Sequence, residues 1–260
     1  MPGQVRTERE EPIGWIVIDH PERRNALSQN MWGELGKAAR GFDADEKVRV
    51  LVLRGAGDEA FVSGADISQF PRSAGGETSR NLQAGGGNVF VELAQISKPV
   101  VAMIHGYCIG GGVALSLSAD LRYAADDARF AIPAARLGVG YDADGIEDLA
   151  RLVGLANATE IFFTARQYDA DEALRMGLVN RVLPKHELEG FVRDTALRIA
   201  RNAPLSVRSV KQISRELRKP AEERDSAGIQ ASVRACFESE DFAEGVRAFL
   251  EKRAPRFRGS

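Results

Sequence analysis

Apolar positions cluster in short β-branched runs through the first half of the chain. Residues 14–20 (around Val17 and Ile18), 48–53 and 100–104 each end on a turn-forming residue, which predicts three strands. Between them apolar residues recur at helical spacing. Ser28 is placed to cap a helix that runs through Met31, Leu35 and Ala38-Ala39 to about Gly41, and a second helix is predicted over 89–96. Strands alternating with helices over the first ~120 residues indicate an α/β layer structure. From about Ile146 the spacing becomes almost wholly helical, with one strand predicted over 178–182. The last third, 188–252, predicts long amphipathic helices broken near Pro204 and Pro220, with arginines on the outer faces. Such a helical tail suits packing against a neighbouring subunit.

Two segments interrupt this pattern. Residues 73–88 are rich in glycine and poor in apolar side chains, which predicts a mobile loop, either a plain surface connection or a lid beside a site. Residues 99–119 carry no charge and are about as long as a membrane span. Pro99, His105, Gly106, Gly110, Gly111, Gly112, Ser116 and Ser118 fall inside that run, so it reads as a buried strand, a glycine turn and a buried helix.

Composition narrows the function classes. The 260 residues are 44% hydrophobic and 28% charged, as in a globular protein with a sizeable core, and fit one large domain or a domain with an appendage. A formal charge of -2 gives no field that would draw nucleic acid or an anionic membrane. Cys108 and Cys236 are far apart, which fits a reducing compartment, and with His20, His105 and His186 they show no metal-ligand spacing. Met1 to Glu11 holds Arg6, Glu8, Arg9, Glu10 and Glu11 and no apolar block, so no signal peptide is expected and a cytoplasmic location is.

Candidate chemistry lies in the glycine turns. Residues 55–60 formally match a Gly-x-Gly-x-x-Ala dinucleotide fingerprint, but Asp58 and Glu59 would repel a pyrophosphate and Phe61-Val62-Ser63-Gly64 does not open a helix. A stronger pattern is the pair of turns at 61–67 and 104–112. In the second, Gly110, Gly111 and Gly112 lie between an apolar strand and an apolar helix, leaving bare N–H groups at a helix start. If the first turn aims another N–H at the same point, the two form an oxyanion hole; otherwise the glycines only permit close helix-strand packing.

These residues resemble the crotonase (enoyl-CoA hydratase/isomerase) superfamily along nearly the whole chain. The resembling stretches are Pro21 to Leu27, Ser63-Gly64-Ala65-Asp66-Ile67, Gly106 to Gly112, Leu137-Gly138 with Leu149 to Gly154, Phe163 to Arg166, Ala173, Gly177-Leu178-Val179, and Glu244-Gly245 to Arg253. The resemblance implies an α/β fold, a spiral of ββα units over residues 1–200. A helical C-terminal region, 201–260, would pack on the core and a neighbouring subunit and build a homotrimer or a dimer of trimers. It implies an acyl-CoA thioester substrate, with coenzyme A as part of the substrate, no separate cofactor or metal, and no nucleic-acid or membrane partner. Ser63 and Gly111 would supply the oxyanion N–H groups. Arg24, Ala26, Leu27, Ala65, Asp66 and Ile67 would follow the adenine and pantetheine path. Phe249 and Lys252 would meet coenzyme A from the neighbouring subunit. Gly110 and Ala134 complete the expected substrate contacts, and Tyr107, Tyr141 and His105 either hydrogen-bond a substrate or, as aromatics beside an apolar segment, pack in the core.

The departures from the family pattern redirect the chemistry. Family hydratases carry a glutamate two residues after the triple glycine and another after the proline of a Pro-Glu pair, where this chain has Ala114 and Ala134. Hydration needs one group to activate water and one to manage the α-proton, each typically contributing ~10² to 10⁴-fold. Asp142, eight positions after Ala134, stands where dienoyl-CoA isomerases and 4-chlorobenzoyl-CoA dehalogenases carry a working aspartate, and is the first candidate for a reacting group. Its other reading is a helix cap. Glu147, and after it Asp144, are further candidates. The expectation is double-bond isomerisation or hydrolase/lyase-type chemistry through a thioester enolate or oxyanion, rather than ordinary hydration. A protein that keeps the acyl-CoA pocket and has lost the chemistry is the alternative.

Overall fold

The structure, a computed structural model, describes residues 2–66 and 89–260. The glycine-rich loop expected at 73–88 and the candidate contact Ile67 lie outside the described residues.

Strands β1 (Gln4–Glu10), β2 (Ile13–Asp19), β3 (Val50–Gly55), β5 (Val100–Ile104), β7 (Leu121–Ala125) and β10 (Arg181–Leu183) pair in the order β1-β2-β3-β5-β7-β10. β1 runs antiparallel to β2, and the rest of the sheet is parallel. A second sheet, β4-β6-β8-β9, is built from β4 (Ala60–Val62), β6 (Tyr107–Ile109), β8 (Arg129–Ala131) and β9 (Tyr168–Asp169). β3 and β4, β5 and β6, and β7 and β8 are consecutive in the chain, and each pair gives one strand to each sheet. Helices follow these pairs: a helical stretch over 89–95 (α2), α3 (Gly111–Leu117) and α4 (Ala134–Leu137). The result is a spiral of ββα units, as the resemblance implied.

Alternation within the long strands fills two cores. Ile16 and Ile18, Leu51 and Leu53, and Val100, Ala102 and Ile104 face one cluster, which helix α1 (Gln29–Ala44) completes with Met31, Leu35, Ala39 and Phe42. Ile13, Trp15 and Val17, Val50 and Val52, and Val101 and Met103 face the other. Helix α8 (Lys185–Ala200) covers that second face with Leu188, Val192, Ala196 and Ala200, spaced one turn apart. Both sheet faces are therefore buried, which is why these strands read as continuous apolar runs. Truncating the buried Leu188 to alanine would cost roughly 2–5 kcal/mol.

Ser28 caps α1 as its position suggested, its side chain accepting the Met31 N–H. Helices α5 (Ala143–Val153), α6 (Leu155–Thr164) and α7 (Ala170–Arg175) follow the spiral, and α9 (Pro204–Glu216), α10 (Ser226–Phe237) and α11 (Glu240–Leu250) form the helical tail. Several elements differ from expectation, and β4, β7 and β8 were not among the predicted strands. β1 was not predicted, because Arg6, Glu8, Arg9 and Glu10 make Gln4–Glu10 mostly charged, with Val5 its only large apolar residue. β6 divides the segment read as one strand, a turn and a helix. The predicted strand at 178–182 falls instead at Arg181–Leu183, with Leu178 and Val179 buried beside it, and β9 adds a strand to the region read as helical. Among the described residues no helix is long and apolar enough to cross a membrane.

Candidate active site

The two glycine turns meet. β4 leads into residues 63–66, and β6 leads through Gly110 into α3, so the parallel pairing of β4 with β6 carries both turns to one edge of the second sheet. Gly112 makes the approach possible. A methyl group at that position would stand 2.1 Å from the Val62 carbonyl oxygen, so only glycine lets α3 lie against the end of β4. Gly110 turns the chain at φ 52 and ψ -111, a conformation that side chains do not reach without strain.

Peptide geometry then decides which N–H groups face the junction. Residues 24–27 run alongside 63–66 and use up most of that segment's backbone. The Ser63 N–H donates to the Arg24 carbonyl at 3.0 Å, the Leu27 N–H to the Gly64 carbonyl at 2.8 Å, and the Asp66 N–H to the Leu27 carbonyl at 2.9 Å. In a trans peptide the C=O and N–H point opposite ways. With its carbonyl turned to Leu27, the Gly64–Ala65 peptide therefore directs the Ala65 N–H away from residues 24–27. Gly111 lies on that side: a methyl built on it would be 3.5 Å from the Ala65 nitrogen. The Gly110 carbonyl accepts the Ala114 N–H at 3.1 Å down the helix, so by the same rule the Gly111 N–H points out of it. Among the described residues no oxygen takes either N–H.

The pairing of Ser63 with Gly111 is thereby corrected to Ala65 with Gly111. The Ser63 amide is spent on Arg24, and its hydroxyl donates to the Arg23 carbonyl at 3.2 Å. The signal in the sequence is the glycine itself. Gly64 at φ 110 reverses the direction of successive peptides, which makes the residue after it, not the one before, present a free N–H.

Other expected residues fall around this cradle. Leu27 bridges to Ala65 and is buried, with Ala26 beside it. Asp66 is buried and forms a forked ion pair with Arg23, at 3.1 and 3.2 Å. The Arg24 guanidinium stacks over Tyr107 at 4.7 Å and pairs with Glu59 at 3.3 Å. Ala134, buried, follows Pro133, whose ring approaches Gly110, and Ala114 lies one helical turn beyond Gly111. Tyr141 packs edge-on to Phe162 at 4.8 Å, and burial pushes its phenol above the ordinary range. Trp32, which the sequence did not single out, presents its ring 3.4 Å from where a methyl on Gly111 would stand.

The carboxylate candidates separate. Asp142 is exposed at the start of α5, as its N-cap residue, yet its side chain makes no hydrogen bond to the first turn. Asp144 is exposed in that first turn. Glu147 accepts from Arg151 at 2.6 Å, an ordinary surface pair at i,i+4. Phe249 and Lys252 sit at the exposed C-terminal end of α11.

Comparison with known proteins gives a consistent picture. A family model described as enoyl-CoA hydratase/isomerase matches residues 8–260. The chain is 37% identical to a carnitinyl-CoA dehydratase of Salmonella arizonae over 264 aligned positions, covering 100% of each chain. It is 35% identical to a short-chain-enoyl-CoA hydratase of Clostridium acetobutylicum, over 96% of this chain and 95% of the relative. Among solved structures, an enoyl-CoA hydratase/isomerase family protein from Hyphomonas neptunium superposes with a TM-score of 0.92 at 34% identity, covering 97% of both chains. An enoyl-CoA hydratase from Bacillus anthracis superposes with a TM-score of 0.91 at 30% identity, over 99% of this chain and 100% of that one.

Proposed function

The chain belongs to the enoyl-CoA hydratase/isomerase family, and from that premise we propose that it binds an acyl-CoA thioester with the carbonyl oxygen between the Ala65 and Gly111 amides. The observation that supports this reading is a pair of N–H groups, at residues 65 and 111, that lie close together and that no oxygen among the described residues accepts. Two fixed dipoles there stabilise negative charge that grows on the thioester oxygen, whether as an enolate or as a tetrahedral oxyanion. No further cofactor is needed, since coenzyme A arrives with the substrate.

The reaction follows from what surrounds the cradle. Alanine at 114 and 134 leaves no carboxylate at either position where hydratases of the family keep one. Isomerisation needs a single base. Asp142 takes a proton from the γ-carbon of an enoyl thioester, the electron pair moves to the carbonyl oxygen as a dienolate, and the same proton returns to the α-carbon. The double bond has moved and every atom is kept. Hydrolytic or lyase-type chemistry through the same oxyanion is compatible with this inventory, and hydration is disfavoured. Acyl-CoA turnover by wild type and Asp142→Asn tests the assignment. Asparagine is as good an N-cap as aspartate, so folding is preserved. Turnover should fall by roughly 10²-fold or more for loss of a general base; unchanged turnover would remove Asp142 and leave the cradle standing.

The loss of both alanine-replaced carboxylates also favours a second reading, an acyl-CoA-binding protein without turnover. Calorimetry with acyl-CoAs beside a broad activity panel distinguishes them, since binding without turnover supports only the second. A homotrimer or dimer of trimers and a cytoplasmic location belong to the same proposal. Sedimentation of the purified protein tests the assembly.

A further inference from the structure

We propose that Asn25 is the positioning residue of the carbonyl cradle, an inference that rests on the reading of Ala65 and Gly111 as that cradle. Its side chain is wholly buried, and its hydrogen bonds go to backbone in three segments. Oδ1 accepts the His20 N–H at 2.9 Å, just after β2. Nδ2 donates to the Ala56 carbonyl at 2.9 Å, just after β3, and to the Ala60 carbonyl at 2.7 Å, at the start of β4. Both amide hydrogens are used. Arg24 and Asn25 also stand in the left-handed region, at φ 51 and 57, where asparagine is among the few tolerated side chains.

The consequence reaches the cradle through the backbone. Asn25 fixes the reversal that sends residues 24–27 alongside 63–66, and it ties that reversal to β4, the strand that leads into 63–66. Arg24 then takes the Ser63 N–H, and Leu27 takes the Gly64 carbonyl and the Asp66 N–H. Ala65 is held on both sides by bonds to Leu27, so its N–H has one direction left. The Asn25 side chain hydrogen-bonds to neither 63–66 nor 110–112 among the described residues. It acts by holding the segment that holds the peptide, and the strain of two left-handed residues is offset by three buried hydrogen bonds.

The test uses the full-length protein with Asn25→Gly, which keeps the left-handed backbone and removes the side chain, and Asn25→Asp, which keeps the acceptor and loses both donors. The probe is 3-(4-dimethylaminophenyl)acryloyl-CoA, whose absorption moves to longer wavelength when its carbonyl oxygen is polarised. Wild type should show the red shift on binding. Both variants should stay folded and bind the probe within about threefold of wild type, lose the shift, and expose the Ser63 and Asp66 amides to faster hydrogen exchange. Turnover should fall roughly 10²-fold at unchanged KM, as for loss of one oxyanion donor. Variants that keep the full shift overturn the inference. Global unfolding of both also overturns it, in favour of a purely architectural role. Absence of the shift in wild type overturns the cradle itself and is distinguished by that.

Discussion

Trp32 and Gly111 are in near contact: the indole ring lies 3.4 Å from the point where a Gly111 side chain would begin. Trp32 also meets Phe90 edge-on at 5.3 Å, so the ring is braced and cannot easily withdraw. A methyl at 111 would stand between this ring and the Ala65 nitrogen, in the space that the proposed cradle leaves for a carbonyl oxygen. Gly111 does not use the left-handed region, and alanine is favoured in a helix. Gly111→Ala should therefore fold, with a thermal midpoint within a few degrees of wild type. Acyl-CoA turnover should drop by roughly 10²-fold, as for a lost oxyanion donor. Wild-type turnover in this variant would show that the carbonyl binds elsewhere.

Most of the architecture was legible because burial on both faces writes strands as apolar runs. Residues 14–20, 48–53 and 100–104 hold most of the observed β2, β3 and β5. The second sheet was not legible in that way. β4, β6 and β8 are three residues long, too short to show any period, and exist because the spiral brings their ends together. The site shows the same division. In the proposed cradle Gly111 came from the family resemblance, since the triple glycine by itself left an oxyanion hole and close helix-strand packing both open. Its partner was misplaced by two residues, because which amide is free depends on what Arg24 and Leu27 take, a contact across some forty residues that no local pattern records.

His105 should give the protein a pH-dependent stability. The imidazole is 6% exposed and its Nε2 has no partner among the described residues. Burial lowers its pKa below the ordinary 6.5, and the nearby Lys185 ammonium lowers it further against the opposing carboxylates of Asp127 and Asp58. The folded state thus holds His105 neutral. On acidification below 6.5 the unfolded chain takes up the proton first, so stability falls as pH falls, with a slope of at most about 1.4 kcal/mol per pH unit from this one group. Urea unfolding of wild type and His105→Gln between pH 7.5 and 5.5 checks it, in steps of roughly half a unit. The variant should show a flatter profile; parallel profiles would mean His105 does not titrate through folding.

The two thiols should differ sharply in reactivity. Cys108 lies on β6 with no exposed surface, and burial pushes its thiol far above the ordinary range despite a contact with Ser116. Cys236 on α10 is half-buried. A thiolate is the nucleophile, so a water-soluble aromatic disulfide should titrate Cys236 alone in the native protein and both cysteines in denaturant. Cys236→Ser should abolish the native reaction. Fast reaction at Cys108 would mean that the second sheet opens readily, and with it the edge on which Gly110 and Gly111 are mounted.

The alanines at 114 and 134 make a stricter test of the chemistry. Ala114 is one helical turn from Gly111, and Ala134 follows the proline that approaches Gly110, so both positions lie near the proposed cradle. Each carboxylate added there has ~10² to 10⁴-fold to contribute if water is placed between them. The site at 134 is 8% exposed, and a glutamate there would have its pKa raised by desolvation, which suits a proton donor. Ala114→Glu with Ala134→Glu should raise crotonyl-CoA hydration above wild type, measured by loss of enoyl-thioester absorbance, while either change alone gains less. If the double variant folds and still polarises a bound acyl-CoA carbonyl, yet hydrates nothing, the proposal that alanine at 114 and 134 is what disfavours hydration fails. The difference would then lie in how the residues around Tyr141 and Asp142 admit water.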